Sequence, residues 1–297
     1  MEDTAMETLN IKESTEMIPK RSAYVCNLKA ESVSVIDLDS RTLVKNIKVG
    51  KYPIFSRCYP HAQGKLIVTL HNLDRKEEDA LLELVDLNTL DITQKIQYPR
   101  TSIPSGIAYD RKRDILFVAD ENREQGYVHV HDGTTLEKLS SLPTGRATVH
   151  LDISGDGKYL VATNRLSADL SVFDLEKNPV TSLEKVSISL GDPNIHSPFD
   201  VKFLSNYICC VSDYNTGELL IVDIIRRMVT DPIKVGQKLT GISLDSTGST
   251  AYICDWAKPS VYIVDVNSKK VDEVGGLDMQ ALHCGVDEKK YQLVVSC

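Results

Sequence analysis

The chain has 297 residues, 34 basic and 42 acidic side chains, a net charge of −8 and 42% hydrophobic residues, which suits one large folded domain or two. An acidic chain without clustered Lys and Arg lacks the electrostatic footprint of a nucleic-acid binder. No apolar run approaches the ~18 residues that cross a bilayer, so neither nucleic acid nor membrane is an expected partner.

In chain order, residues 1–21 come first. MEDTAMETLNIKESTEMIPK is acidic and has no apolar stretch of the secretory type, which predicts a cytoplasmic protein. Seven cysteines without a CxxC fit the same compartment and read as reduced, mostly buried thiols. Strand patterns start at SAYVCN (22–27), SVSVID (32–37) and TLVKNIKVG (42–50), then return as KLIVTL (65–70) and LLELVD (81–86). Between the last two lies a charged insertion, HNLDRKEEDA (71–80), expected as a solvated rim loop.

The next units add a strand in front. SGIAYD (105–110), ILFVAD (115–120), YVHVHD (127–132) and TLEKLSSL (135–142) set the order. HLDIS (150–154), KYLVATN (158–164) and DLSVFD (169–174) follow it, as do FDVKFL (199–204), YICCVSD (207–213) and ELLIVD (218–223). TGISLD (240–245), AYICDW (251–256) and SVYIVD (260–265) make another unit, and ALHCGVD (281–287) with YQLVVSC (291–297) ends the chain. Turns such as SGDGK (154–158) and DSTGS (245–249) carry hairpin chemistry. The third strands end at Asp37, Asp86, Asp132, Asp174, Asp223 and Asp265, roughly 46 residues apart.

A four-stranded unit of this size cannot bury both faces of its sheet, so the units must stack face to face. The prediction is an all-β fold, a β-propeller of four-stranded antiparallel blades over residues 22–297 as a single domain. Seven blades are favoured, with six as the alternative. In the seven-bladed ring the N- and C-terminal segments pair, METLNIK (6–12) serving as a closing strand.

The stretch YVCN, VSVID, TLVKNIKVGKYP between Tyr24 and Pro53 resembles the YVTN-type β-propeller repeat, which is related to WD40-like and lactonase-like propellers. YLVATN with LSVFDL, and AYICDW with VYIVDV, match it more loosely. The resemblance implies the repeat architecture from about residue 22 onward and leaves function open. Lactonase-like and lyase-like propellers carry out hydrolysis, elimination or isomerisation without a redox cofactor.

In a propeller the first strand of each blade lines the channel. Aligning those strands places Ser56, Gly106, His150, Asp200, Gly241 and His283 in one register at the mouth, with Arg57 beside Ser56. His150, Asp200 and His283 are thus the expected catalytic set. They would act either around one divalent metal (Zn²⁺, Mn²⁺ or Fe²⁺) or directly as acid/base groups. No nucleotide cofactor is implied, since GxGxxG and P-loop patterns are absent. One register deeper, Asp152 and Lys202 are placed to pair. Tyr52, Arg146, Arg165, His196, Tyr214 and Trp256 stand on loops at the same face as candidate substrate-binding groups. His129 and His131 alternate away from the axis and read as packing residues.

The reading leans to a small-molecule enzyme, a hydrolase, lyase or isomerase. The alternative is a non-catalytic scaffold that holds a protein or peptide on its loops.

Overall fold

The computed structural model describes residues 19, 21–59, 64–71, 80–177, 180, 183–230, 232–287 and 292–296. The chain divides into two compact units, Met1–Arg100 and Thr101–Cys297. In the first unit, β1 (Ser22–Asn27), β2 (Ser32–Asp37) and β3 (Thr42–Lys48) form a three-stranded sheet. Beside it β4 (Pro53–Tyr59), β5 (Lys65–Leu70), β6 (Ala80–Asp86) and β7 (Ile92–Tyr98) form a four-stranded one.

The second unit opens with β8 (Pro104–Asp110), β9 (Ile115–Asp120), β10 (Tyr127–Asp132) and β11 (Lys138–Pro143). Next come β12 (Thr148–Ile153), β13 (Tyr159–Asn164), β14 (Asp169–Asp174) and β15 (Val186–Ser189). The third sheet has β16 (Pro198–Phe203), β17 (Ile208–Asp213) and β18 (Glu218–Asp223), and its outer edge is split into β19 (Met228–Val229) and β20 (Ile233–Lys234). The fourth has β21 (Leu239–Leu244), β22 (Thr250–Asp255), β23 (Ser260–Asp265) and β24 (Val271–Val274). A hairpin of β25 (His283–Asp287) and β26 (Gln292–Ser296) follows.

Every sheet is antiparallel with strands in sequence order, as the repeat predicts. The described residues build six blades and one hairpin, not the seven blades expected. The hairpin supplies only an inner pair of strands, and METLNIK, which was to extend it, lies outside the described residues, as do residues 72–79 of the charged insertion.

Apolar clusters between neighbouring sheets hold each unit together. Phe117, Val128 and Leu142 of one blade meet Leu151, Leu160 and Phe173 of the next. Val161, Leu170 and Ile188 meet Val201, Val211 and Val222 in the same way. The middle strands are covered on both faces, so β9 and β13 are buried almost end to end rather than alternating.

The recurring aspartates have one local job. Asp132 Oδ1 accepts the N–H groups of Thr134 (3.0 Å) and Thr135 (2.7 Å), and Asp265 Oδ1 those of Asn267 (3.0 Å) and Ser268 (2.8 Å). Asp223 does the same for Ile225 and Arg226. These are Asx turns that close the hairpin to the outer strand. Asp255 works at the opposite strand end, taking the N–H groups of Gln237 and Lys238 and so fixing the loop that enters β21.

His129 and His131 are packing groups, as the alternation suggests. His129 is buried between Asp120 Oδ2 (3.1 Å) and Ser141 Oγ (2.9 Å). His131 Nδ1 lies 2.9 Å from the Leu136 carbonyl, and burial pushes its pKa down to about 4. No helix among the described residues is long and apolar enough to cross a membrane.

Candidate functional site

The inner strands β8, β12, β16, β21 and β25 touch one another in order within the second unit. Four of them share an irregularity. Pairing with the middle strand shifts between Pro104 and Ile107, Thr148 and Leu151, Pro198 and Val201, and Leu239 and Ile242. An extra residue in the inner strand is a β-bulge, which re-aims side chains. Gly106, His150, Asp200 and Gly241 all sit in these bulges, so the shared register has a backbone cause.

Middle-strand hydroxyls stabilise the bulges. Thr163 Oγ1 accepts the N–H of His150 at 3.1 Å and donates to the carbonyl of Phe199 at 2.8 Å. Ser212 Oγ accepts the N–H of Asp200 at 3.0 Å and donates to the Thr240 carbonyl at 2.6 Å. Each hydroxyl therefore ties one blade's site residue to the next blade's inner strand.

The bulges bring His150, Asp200 and His283 together. His150 Nδ1 is 3.0 Å from Asp200 Oδ1, with the two side chains 7% and 3% exposed. The imidazole rings of His150 and His283 are 5.1 Å apart between centroids. Two glycines let the neighbouring inner strands approach closely at the site. A Cβ on Gly106 would stand 2.6 Å from the Val149 carbonyl and 2.9 Å from His150 Cα. One on Gly241 would stand 2.6 Å from His283 Nδ1, 2.8 Å from its Cα and 2.8 Å from the Leu282 carbonyl.

Gly241→Ala is accordingly expected to cost about 1–3 kcal/mol, because backbone atoms must move. Gly285→Ala on β25, where an added Cβ meets nothing within 4 Å, is expected to be close to neutral. Urea midpoints of the two variants check this difference.

Asp200 is the electrostatic centre. Burial alone would raise its pKa, but the facing His150 imidazole, the Lys202 ammonium and the bonds from His150 and the Ile242 N–H outweigh it and hold the carboxyl well below its ordinary range. Oδ1 accepts from Val201 N (2.7 Å), Lys202 Nζ (3.0 Å) and His150 Nδ1 (3.0 Å), and Oδ2 from Ile242 N (2.8 Å). The carboxylate thus joins β12, β16 and β21. His283 titrates in the opposite sense: burial, then repulsion from His150, pushes its imidazole down to about 3, so it is neutral at physiological pH.

Ligand atoms of His150, Asp200 and His283 lie within 4.8 Å of one another, which makes the trio a candidate divalent-metal cluster. The fit is poor at the carboxylate. Asp200 already accepts four donors, one of them an ammonium, and a cation bound there would have to compete with Lys202.

The other predicted residues divide by position. Asp152 Oδ2 accepts the N–H of Phe203 at 2.8 Å, across the blade boundary, while Lys202 pairs with Asp200. Arg165 and Tyr214 reach the trio through Phe199. The Arg165 guanidinium carbon lies 5.5 Å from the Phe199 ring centroid and 5.4 Å from that of Tyr214, and Phe199 is 5.4 Å from His150. His196 Nδ1 lies 2.8 Å from Asp213 Oδ2 on the loop before β16. Arg146 is an exposed loop residue whose Nη2 donates to the Leu166 carbonyl, and Trp256 is 43% exposed. Tyr52 and Ser56 belong to the first unit, where Ser56 Oγ donates to the Tyr24 carbonyl; the Arg57 side chain lies outside the described residues.

Sequence reasoning missed Phe199, Lys238, Glu121 and the hydroxyls of Thr163 and Ser212. The hydroxyls had a signal: middle strands end VTL, ATN, VSD and VSC, with Ser or Thr recurring at one position.

Comparison with known proteins completes the fold assignment. A family model described as "Lactonase, 7-bladed beta-propeller" matches residues 75–195, less than half of the chain. A solved structure titled hydrazine synthase, from Kuenenia stuttgartiensis, is similar with a TM-score of 0.72 over 92% of this chain and 91% of that one. The chain has a β-propeller fold. At 16% identity that likeness is one of fold alone, and 1481 solved chains match this chain, so function must be argued from the site. The family match contains His150 and Arg165 but stops before Asp200 and His283. No curated protein matches the sequence.

Proposed function

We propose that the chain is a small-molecule enzyme of the non-redox type, carrying out hydrolysis, elimination or isomerisation, with His150 as the group that moves the proton. The observation that carries this reading is the buried His150 Nδ1 to Asp200 Oδ1 contact of 3.0 Å. An ionised Asp200 can only accept, so Nδ1 carries a hydrogen and Nε2 is the nitrogen turned to substrate chemistry. Asp200 orients the ring and stabilises the imidazolium that forms when Nε2 takes a proton. Lys202 keeps Asp200 ionised, and neutral His283 offers a polar contact 5.1 Å from the first ring without adding charge.

A metal-assisted version has less support, because Asp200 is committed to Lys202 and to backbone donors. A partner-binding scaffold is the second reading, favoured by Leu166, Ile195 and Trp256, which are 38%, 55% and 43% exposed on loops at one end of their blades. We take the repeat to be of the YVTN type on the residues between Tyr24 and Pro53. We also propose one propeller domain over 22–297, closed by its terminal segments, a cytoplasmic location and a small-molecule ligand as principal partner.

The test is a turnover screen of small esters, lactones and hydroxy acids, followed by His150→Gln on any hit. The variant is expected to fold normally and lose about 10²- to 10⁴-fold in kcat. An activity that survives His150→Gln at wild-type level, or a screen without hits alongside a tight peptide ligand on the loops, would overturn the reading.

A further inference from the structure

Beside the His150–Asp200 pair stands a cation held against two aromatic rings. Arg165, on the loop after β13, has its guanidinium carbon 5.5 Å from the Phe199 centroid and 5.4 Å from the Tyr214 centroid. These two rings stack at 6.3 Å with 28° between planes. Lys238 Nζ lies 5.2 Å from the Tyr214 centroid. Phe199 also touches both imidazoles, at 5.4 Å from His150 and 6.2 Å from His283. One ring is therefore shared between the cation and the proton-transfer pair.

The guanidinium is only partly used. Nη1 bonds Glu121 Oε1 at 3.1 Å, whereas Nε is buried and meets no acceptor among the described residues. A buried charged donor without an acceptor is costly, and a ligand oxygen arriving beside it removes the cost. Lys238 adds a further positive charge at the Tyr214 ring, while Glu121 and Asp200 offset Arg165 and Lys202. A planar guanidinium presents its Nε and Nη hydrogens in the fork that matches a carboxylate, and an ammonium does not.

We propose that the substrate carries a carboxylate, taken by Arg165 through Nε and a neighbouring Nη, with Phe199 and Tyr214 lining the adjoining apolar part. This deepens the acid/base reading and rests on it for the word substrate. The binding claim itself is tested without turnover.

Benzoate and its neutral isostere benzamide are titrated by calorimetry into the full-length protein and into Arg165→Gln and Arg165→Lys, with thermal midpoints confirming that each variant is folded. Wild type is expected to bind benzoate at least about tenfold more tightly than benzamide. Arg165→Gln is expected to lose that preference, and Arg165→Lys to recover only part of it, because the charge remains and the fork is gone. Equal affinity for benzoate and benzamide, no saturable benzoate binding to wild type, or full benzoate affinity in folded Arg165→Gln would overturn the proposal. Turnover lost in His150→Gln with benzoate binding indifferent to Arg165 would sink this inference alone. Turnover indifferent to His150 with benzoate binding dependent on Arg165 would sink the acid/base reading alone.

Discussion

Asp200→Ala is expected to lower the unfolding free energy by about 3–5 kcal/mol, the range for removing one partner from a buried ion pair. Asp200 is buried, and its carboxylate accepts from three successive inner strands: His150 on β12, Val201 and Lys202 on β16, and Ile242 on β21. Alanine removes this acceptor from the buried His150 imidazole and the buried Ile242 N–H, and this charge partner from Lys202. Asp200→Asn separates the two roles. Its shape is kept and its oxygen still accepts, so stability falls less, but the amide also brings hydrogens that favour the other imidazole tautomer and should remove most activity. Urea unfolding of both variants, read as a midpoint shift at constant slope, checks the ordering. An Asp200→Ala protein within about 1 kcal/mol of wild type would show that the three strands are held by their apolar contacts alone.

Acid should destabilise the protein well before its carboxylates titrate. His283 and His131 have folded pKa values of about 3 and about 4, lowered first by burial, against an ordinary 6.5. From 6.5 down to about 4 the unfolded chain binds protons that the folded chain refuses. Stability therefore falls as pH falls through this window, by ~1.4 kcal/mol for each pKa unit of difference. Asp132 and Asp265, held below their ordinary values by backbone N–H donors, act in the same direction only at lower pH, where unfolded carboxylates start to protonate. His131→Leu is expected to flatten the curve between 6.5 and about 4 without touching the candidate site. A stability profile flat across that window in wild type would mean that both imidazoles are solvated.

The repeat made much of this site legible before any coordinates. Spacing of the six strand-end aspartates fixed the blade unit, and the alignment it allowed put His150, Asp200 and His283 in one register. What alignment could not supply was the effect of the bulges. Strict alternation sends Phe199 and Asp200 to opposite faces, yet the register shift between Pro198 and Val201 lets the Phe199 ring and the Asp200 carboxylate both approach His150. Asp152 and Lys202 share a register in neighbouring strands, which suggests a pair of the two. Alignment by register does not suggest that the long Lys202 side chain reaches back two residues to Asp200. Glu121 and Lys238 lie on loops of unequal length, where a repeat alignment has no register to transfer. Blade number turns on whether a segment distant in sequence pairs with the β25–β26 hairpin, which local pattern does not encode.

The central claim is that an ionised Asp200 holds His150 with its hydrogen on Nδ1. Nitrogen-15 NMR of histidine side chains, recorded at mildly alkaline pH on wild type and on Asp200→Asn, tests it most directly. The account predicts a protonated Nδ1 and an unprotonated Nε2 for His150 in wild type, with the pattern shifting in Asp200→Asn. An unprotonated Nδ1 in wild type, or a His150 spectrum indifferent to Asp200→Asn, would contradict it.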